Sequence, residues 1–142
     1  MFEGTVAIVV RAELSPSEDP EKVLTAARNI LGDCHYELGR SAGVVVLRSS
    51  QAGCLRKIHD QLRDRHVRNA ARRLLLKSIE GTHLRILFNR QAAFAGVIAV
   101  VSGGEESALG PISLELDVNE PLKLLDWLAP YQPAEPQAQV HP

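Results

Sequence analysis

The lengths of the connections between apolar runs limit the fold of this chain more than any one run does. Residues 35–39 and 43–48 read as two short strands joined by a tight turn over Gly39-Arg40-Ser41-Ala42-Gly43. Residues 82–88, with Leu84, Ile86 and Phe88 on one face, and the β-branched run 97–101 read as two more. A parallel crossover takes roughly a dozen residues or more, so neighbours this close in sequence pair antiparallel. Strands and helices do not alternate strictly along the rest of the chain. The expected fold is α+β: a single two-layer domain, with helices packed on a largely antiparallel sheet.

Periodicity and capping residues place the other elements. Residues 5–12, Thr-Val-Ala-Ile-Val-Val-Arg-Ala, are apolar on both faces and predict an internal strand covered on each side. Asp19 caps a helix that starts at Pro20, buries Val23, Leu24, Ala27, Ile30 and Leu31, and stops at Gly32. From 51 to 79 the pattern is helical, but the stripe of Leu55, Ile58 and Leu62 loses phase across Arg63-Asp64-Arg65-His66 before resuming as Val67, Ala70, Ala71 and Leu74. A straight helix keeps its phase, so two helices or one sharply bent helix are expected. Residues 112–118 alternate apolar with polar, giving a strand with an inside and an outside. Asn119 is expected to cap a last helix from Pro121 that packs Leu122, Leu125 and Leu128, with Trp127 as a large anchor. At 142 residues the chain can bury one core, assigned to 1–129; the proline-rich stretch 130–142 reads as a disordered tail.

Several function classes lose support. No apolar stretch approaches the ~20 residues that span a bilayer, and Met1-Phe2-Glu3-Gly4 lacks the basic start and apolar run of a signal peptide. A cytoplasmic setting without membrane contact is therefore expected, in which Cys34 and Cys54 are free, buried thiols rather than a disulfide framework. With His35, His59, His66 and His83 these cysteines match no zinc spacing, so no metal is assigned. No nucleophile elbow or phosphate-binding glycine loop is present, and neither a catalytic residue nor a cofactor is assigned. Residues 102–107 read as an acidic loop, in which Glu105 and Glu106 would repel phosphate unless a cation bridged them.

Charge distribution is more informative than its total of −1. Residues 53–77 carry Arg56, Lys57, Arg63, Arg65, Arg68, Arg72, Arg73 and Lys77 against Asp60 and Asp64, a local +6, and the remainder carries −7. Cations spaced along a helix can track a phosphate backbone or can form a solvated face. Aromatic residues are 4% of the chain, too few for a base-stacking platform, so any RNA contact should be to phosphate, ribose and shape. A second polar cluster, Asn89, Arg90 and Gln91, precedes Ala92-Ala93-Phe94-Ala95-Gly96. It reads either as a ligand-facing group at a strand end or as a turn, followed by small residues packed around Phe94.

Five ordered stretches complete the reading: SPSEDPEKV at 15–23, RDRHVRNAARRLLL at 63–76, FNRQAAFAG at 88–96, EESALGPISLEL at 105–116 and DWLAP at 126–130. Together they resemble an uncharacterised archaeal protein family grouped with predicted RNA-binding proteins and predicted exosome subunits. The resemblance covers nearly the whole chain up to Pro130. It implies an archaeal cytoplasm, RNA as partner and a fold similar to the large-subunit ribosomal protein that holds 5S ribosomal RNA. Arg90 stands where the family pattern has Lys, a change that retains charge. The expected function is non-enzymatic recognition of structured RNA, with Arg63, Arg65, Arg68, Arg72, Arg73, Lys77, Asn89, Arg90 and Gln91 as contacts. Related domains joined to a nucleotide kinase of the dephospho-coenzyme A kinase type keep an alternative open. That alternative is a nucleotide- or small-molecule-binding regulatory domain, or the assembly partner of a metabolic enzyme, with Asn89, Arg90, Gln91 and the 102–107 loop as its pocket. A homodimer built on the sheet face or the last helix is a third reading.

Overall fold

The computed structural model describes residues 5–41, 43–62, 65–102 and 110–131, with residues 65 and 66 described by backbone alone. Six strands, β1 (Val6–Glu13), β2 (Glu37–Ser41), β3 (Val44–Ser49), β4 (His83–Phe88), β5 (Val100–Val101) and β6 (Ile112–Val118), form one sheet in the order β2-β3-β1-β6-β4-β5. Every pairing is antiparallel. Helix α1 (Pro20–Leu31) follows β1, α2 (Arg56–Gln61) and α3 (Arg65–Ser78) lie between β3 and β4, α4 (Arg90–Phe94) follows β4, and α5 (Pro121–Leu128) follows β6. The chain is a single α+β domain.

Register aligns the core. Leu47, Val10, Leu114 and Ile86 lie side by side across β3, β1, β6 and β4, all 2% exposed or less. Burying a branched aliphatic side chain contributes about 1.5–3 kcal/mol, so this row alone holds four strands to one helical layer. The alternate residues Ala7, Arg11, Glu13, Arg48, Arg85 and Asp117 are exposed. The sheet is thus covered on one face, which corrects the expectation that β1 is covered on both. Val9 remains half-buried on the open face, flanked in register by Arg48 and Glu115, whose long stems shelter it.

Local signals govern most of the helix ends. Asp19 Oδ1 accepts from the Glu21 amide at 3.0 Å, Pro20 opens α1, and Gly32 closes it at φ +71°. A Cβ at Gly32 would also come within 3.2 Å of Lys57. The lost phase near residue 63 marks a true break: Leu62 closes α2 through its amide on the Ile58 carbonyl at 3.0 Å, and α3 starts afresh. Of the expected stripe Ala71 is buried, Ala70 and Leu74 are half-buried and Val67 is 38% exposed; Leu75, outside that stripe, completes the buried side. In α5 the capping position belongs to Glu120, which makes no side-chain cap bond. Asn119 sits one residue too early because Pro121 is already the first helical position. Leu124, Leu125 and Leu128 face the core, Leu122 is 57% exposed, and partly buried Trp127 stacks on His59 with ring centroids 4.6 Å apart. The run 97–101 contributes only Val100 and Val101 to the sheet. The acidic 102–107 loop beyond Ser102, and the proline-rich tail from residue 132 onward, lie outside the described residues.

Cys34 and Cys54 form a disulfide, with S–S 2.00 Å and Cα atoms 5.3 Å apart, which corrects the reading of two free thiols. The β2–β3 hairpin returns the chain so that a short 3₁₀ turn, Ala52–Leu55, lies against the segment after α1. Sequence spacing does not show such a return. Closing a loop of 20 residues restricts the unfolded chain by about 3 kcal/mol. Unreduced protein should have an intact mass two hydrogens below the dithiol, and full reduction should lower the unfolding free energy by about that amount in urea titrations. An unchanged urea midpoint after complete reduction would count against a stabilising bridge.

Candidate functional site

The basic segment divides into structural and free cations. Arg68 Nε donates to the Leu62 carbonyl at 2.7 Å and so ties the start of α3 to the end of α2. Arg72 reaches α5, where Nη2 pairs with Asp126 Oδ1 at 2.8 Å and Nη1 donates to the Ala129 carbonyl at 3.1 Å. The second bond puts a cation at the carbonyl end of a helix, where the dipole favours it. Arg73 and Lys77, four residues apart, are exposed and make no ion pair among the described residues. The side chains of Arg63 and Arg65 lie outside the described residues.

The expected second cluster is also divided. Asn89 caps α4, its Oδ1 accepting from the Ala92 amide at 2.8 Å, while its own amide donates to the Ala99 carbonyl at 2.8 Å. Arg90 is 4% exposed. Its Nη1 donates to both carboxylate oxygens of Glu18, at 2.9 and 2.8 Å, and to the Glu13 carbonyl at 2.7 Å. Gln91 is exposed beside a recess shared with Glu18, Lys22 and Phe94. The small residues do not pack around Phe94, which is 46% exposed with Lys22 Nζ 5.9 Å above its ring. Ala93 is the buried residue, and its lack of bulk lets α4 approach α1. Asn29 Nδ2 fixes that approach by donating to the Ala93 and Phe94 carbonyls at 2.9 and 3.3 Å.

Three residues that sequence reasoning passed over therefore set this region: Glu18, Asn29 and Gln61. Gln61 donates to the Gly96 carbonyl at 3.2 Å and accepts from the Ile98 amide at 2.8 Å, tying the end of α2 to the loop after α4. Their partners are 35 or more residues away, and a local pattern cannot show such pairing. Helix α4 packs on α1, whereas α3 packs on β4, β5 and α5. No hydrogen bond or ion pair among the described residues joins Asn89, Arg90 or Gln91 to the cations of α3.

Over 125 residues the chain is 36% identical to a UPF0201 protein of Sulfurisphaera tokodaii, spanning 87% of this chain and 86% of that one. It belongs to the UPF0201 family. A UPF0201 protein of Saccharolobus solfataricus is 37% identical over 128 residues, 88% of each chain. A family model described as RNA binding matches residues 7–118, from β1 to the end of β6, and so includes α3 and α4. A UPF0201 crystal structure at 30% identity superposes with a TM-score of 0.70 over 89% of this chain and 94% of that one. The UPF0201 protein of Methanococcus jannaschii, at 22% identity, superposes with a TM-score of 0.73 over 90% and 96% and bears on the fold.

In this UPF0201 chain Arg90 and Arg73 should respond differently to removal. Glu18, with its side chain 9% exposed, would be left as a buried unpaired charge in Arg90→Met, which should cost about 3–5 kcal/mol in urea denaturation. Glu18→Gln should be destabilising as well, and Arg73→Ala should leave the urea midpoint unchanged. Equal midpoints for Arg90→Met and Arg73→Ala would remove the distinction.

Proposed function

We propose that this protein binds structured RNA through phosphate and shape, without turning it over. The observation that carries the reading is the pair Arg73 and Lys77, exposed one helical turn apart and unpaired among the described residues, within a segment of charge +6. The match to a family model described as RNA binding supports it. Side chains at i and i+4 share one helix face, and each phosphate they neutralise releases condensed counterions. Arg63 and Arg65, which precede them in the same basic segment of the sequence, are proposed as further phosphate contacts. Arg68 and Arg72 hold the helix in place instead of meeting RNA. The sparse aromatic content favours recognition of a duplex or folded strand over splayed bases.

Among the described residues no helix is long and apolar enough to cross a membrane. The setting we propose is the cytoplasm. The Cys34–Cys54 bridge does not oppose it, because intracellular disulfides are common in hyperthermophilic archaea.

Fluorescence anisotropy with a labelled RNA hairpin across a salt series tests the proposal. Affinity should fall steeply with salt, and Arg73→Ala with Lys77→Ala should reduce the slope of log K against log salt by about 1 for each lost contact. The RNA should be recovered intact. Affinity that is indifferent both to salt and to the double variant would end the RNA reading.

A further inference from the structure

The uncovered face of the sheet carries a patterned row of charge. Glu37, Arg48, Val9, Glu115 and Arg85 lie side by side in register across β2, β3, β1, β6 and β4. In that order the signs run minus, plus, neutral, minus, plus. Reversing the row about Val9 sets every charge against one of opposite sign. At roughly 4.8 Å per strand the row spans about 19 Å.

These charges are poorly neutralised within one molecule. Glu37 and Arg48 are directly opposite each other, yet Arg48 lies over Gly39 instead, where an added Cβ would come within 3.8 Å of its Nη1. Glu115 is 3.8 Å from Arg11 and 3.9 Å from His83, but does not pair with Arg85, its neighbour in register. Glu37, Arg48 and Arg85 are exposed and make no ion pair among the described residues. The middle of the face is apolar: Val9 is half-buried, and Val46, beside Arg11 in register, is 9% exposed. An apolar centre with a charged rim is the anatomy of a protein interface. Glu13, Glu37, Glu115 and Asp117 outnumber Arg11, Arg48 and Arg85 there, so the face lacks the positive excess that a nucleic acid requires.

We propose that this face pairs with the same face of a second copy of the chain, about a twofold axis that runs along β1. Sheets packed face to face stand about 10 Å apart with their strands nearly aligned, a gap that Arg and Glu side chains reaching from both sides can bridge. The axis sets Glu37 of one copy opposite Arg85 of the other and Arg48 opposite Glu115, and symmetry makes each contact twice. Val9 meets its own copy. One row along, Val46 is opposite Ser113, and Gly39 leaves room for half-buried Leu87. Arg11 and Glu13 also fall on the axis, and Arg11 brings its own counter-charge in Glu115, while Glu13 follows it on the same face. A twofold axis across the strands would instead set Glu37 on Glu37 and Arg85 on Arg85, so the charges select the orientation. With β1 about 20 Å long from Ala7 to Glu13, the footprint is at the low end for specific interfaces, and the dimer is a weak one. The helices lie on the other face of the sheet, so pairing leaves Arg73 and Lys77 accessible and is independent of the RNA reading.

Sedimentation velocity of the full chain, from low to high micromolar concentration, tests the pairing. A reversible monomer–dimer equilibrium that weakens as salt is raised is expected. Glu37→Arg and Arg85→Glu each place like charges opposite one another at both symmetry-related contacts, and each should raise the dissociation constant about ten-fold or more. Mixed in equal amounts, the two variants form a heterodimer in which both contacts are again of opposite sign, and affinity should return close to that of the wild type. A defect in the fold of either variant would persist in the mixture, so recovery reports the contact itself. A chain that stays monomeric throughout, variants that leave the equilibrium unchanged, or a mixture that does not recover overturns the proposal. Monomeric protein whose affinity for an RNA hairpin falls in Arg48→Glu overturns it as well, and assigns the face to RNA.

Discussion

The sheet depends on β6, the last strand in sequence and one of its two central strands. β1 and β4 do not pair with each other; each pairs with residues 112–118, and β2, β3 and β5 attach only through them. Val10 meets Leu114 across a separation of more than a hundred residues. Loop-closure entropy grows only slowly with such distances, so the arrangement costs the final stability little. It does delay assembly, because non-local contacts stabilise only after the closure has been made. The same placement orders the open face, where Arg11 lies beside Ser113 and Glu115 beside Arg85 in register, so that residues of three strands are neighbours.

What could be read in the sequence was what neighbouring residues decide. Asp19 before Pro20, the phase slip after Leu62 and the alternation of 112–118 are each contained within a few positions, and each holds in the structure. The antiparallel character of the sheet was legible from connection lengths, though its strand order was not. Failures begin where a partner is distant. Cys34 finds Cys54 through an intervening hairpin, and Arg90 finds Glu18 across 72 positions. Leu122 and Phe94 fail for a different reason. An apolar side chain on a short helix is buried only if another layer lies on that side, and a local pattern does not say which sides are covered.

Arginine illustrates the limit on the candidate site. A count of charge between 53 and 77 gives Arg68, Arg72 and Arg73 equal weight, yet one closes a helix junction, one bridges to α5 and one faces solvent. Arg90, conspicuous in sequence as a polar residue near a strand end, is nearly inaccessible, with half of its hydrogen-bonding edge committed to the fold. Exposure and partner therefore decide which cations can receive a phosphate, and tertiary packing sets both. Of the nine contact residues expected from sequence, Arg73, Lys77 and Gln91 are exposed in the structure, and Arg68, Arg72, Asn89 and Arg90 are tied into it.

The disulfide encloses the whole β2–β3 hairpin, including the turn at Gly43. Tight turns at a sheet edge are sites where proteases cut. A cut there would leave two polypeptides that remain one molecule: a short piece carrying β1, α1 and β2, and a longer one carrying the rest, joined between Cys34 and Cys54. The strand that pairs with β6 would thus stay tethered to it after the backbone had been severed, so cleavage at this edge would become separation only once the thiols were reduced.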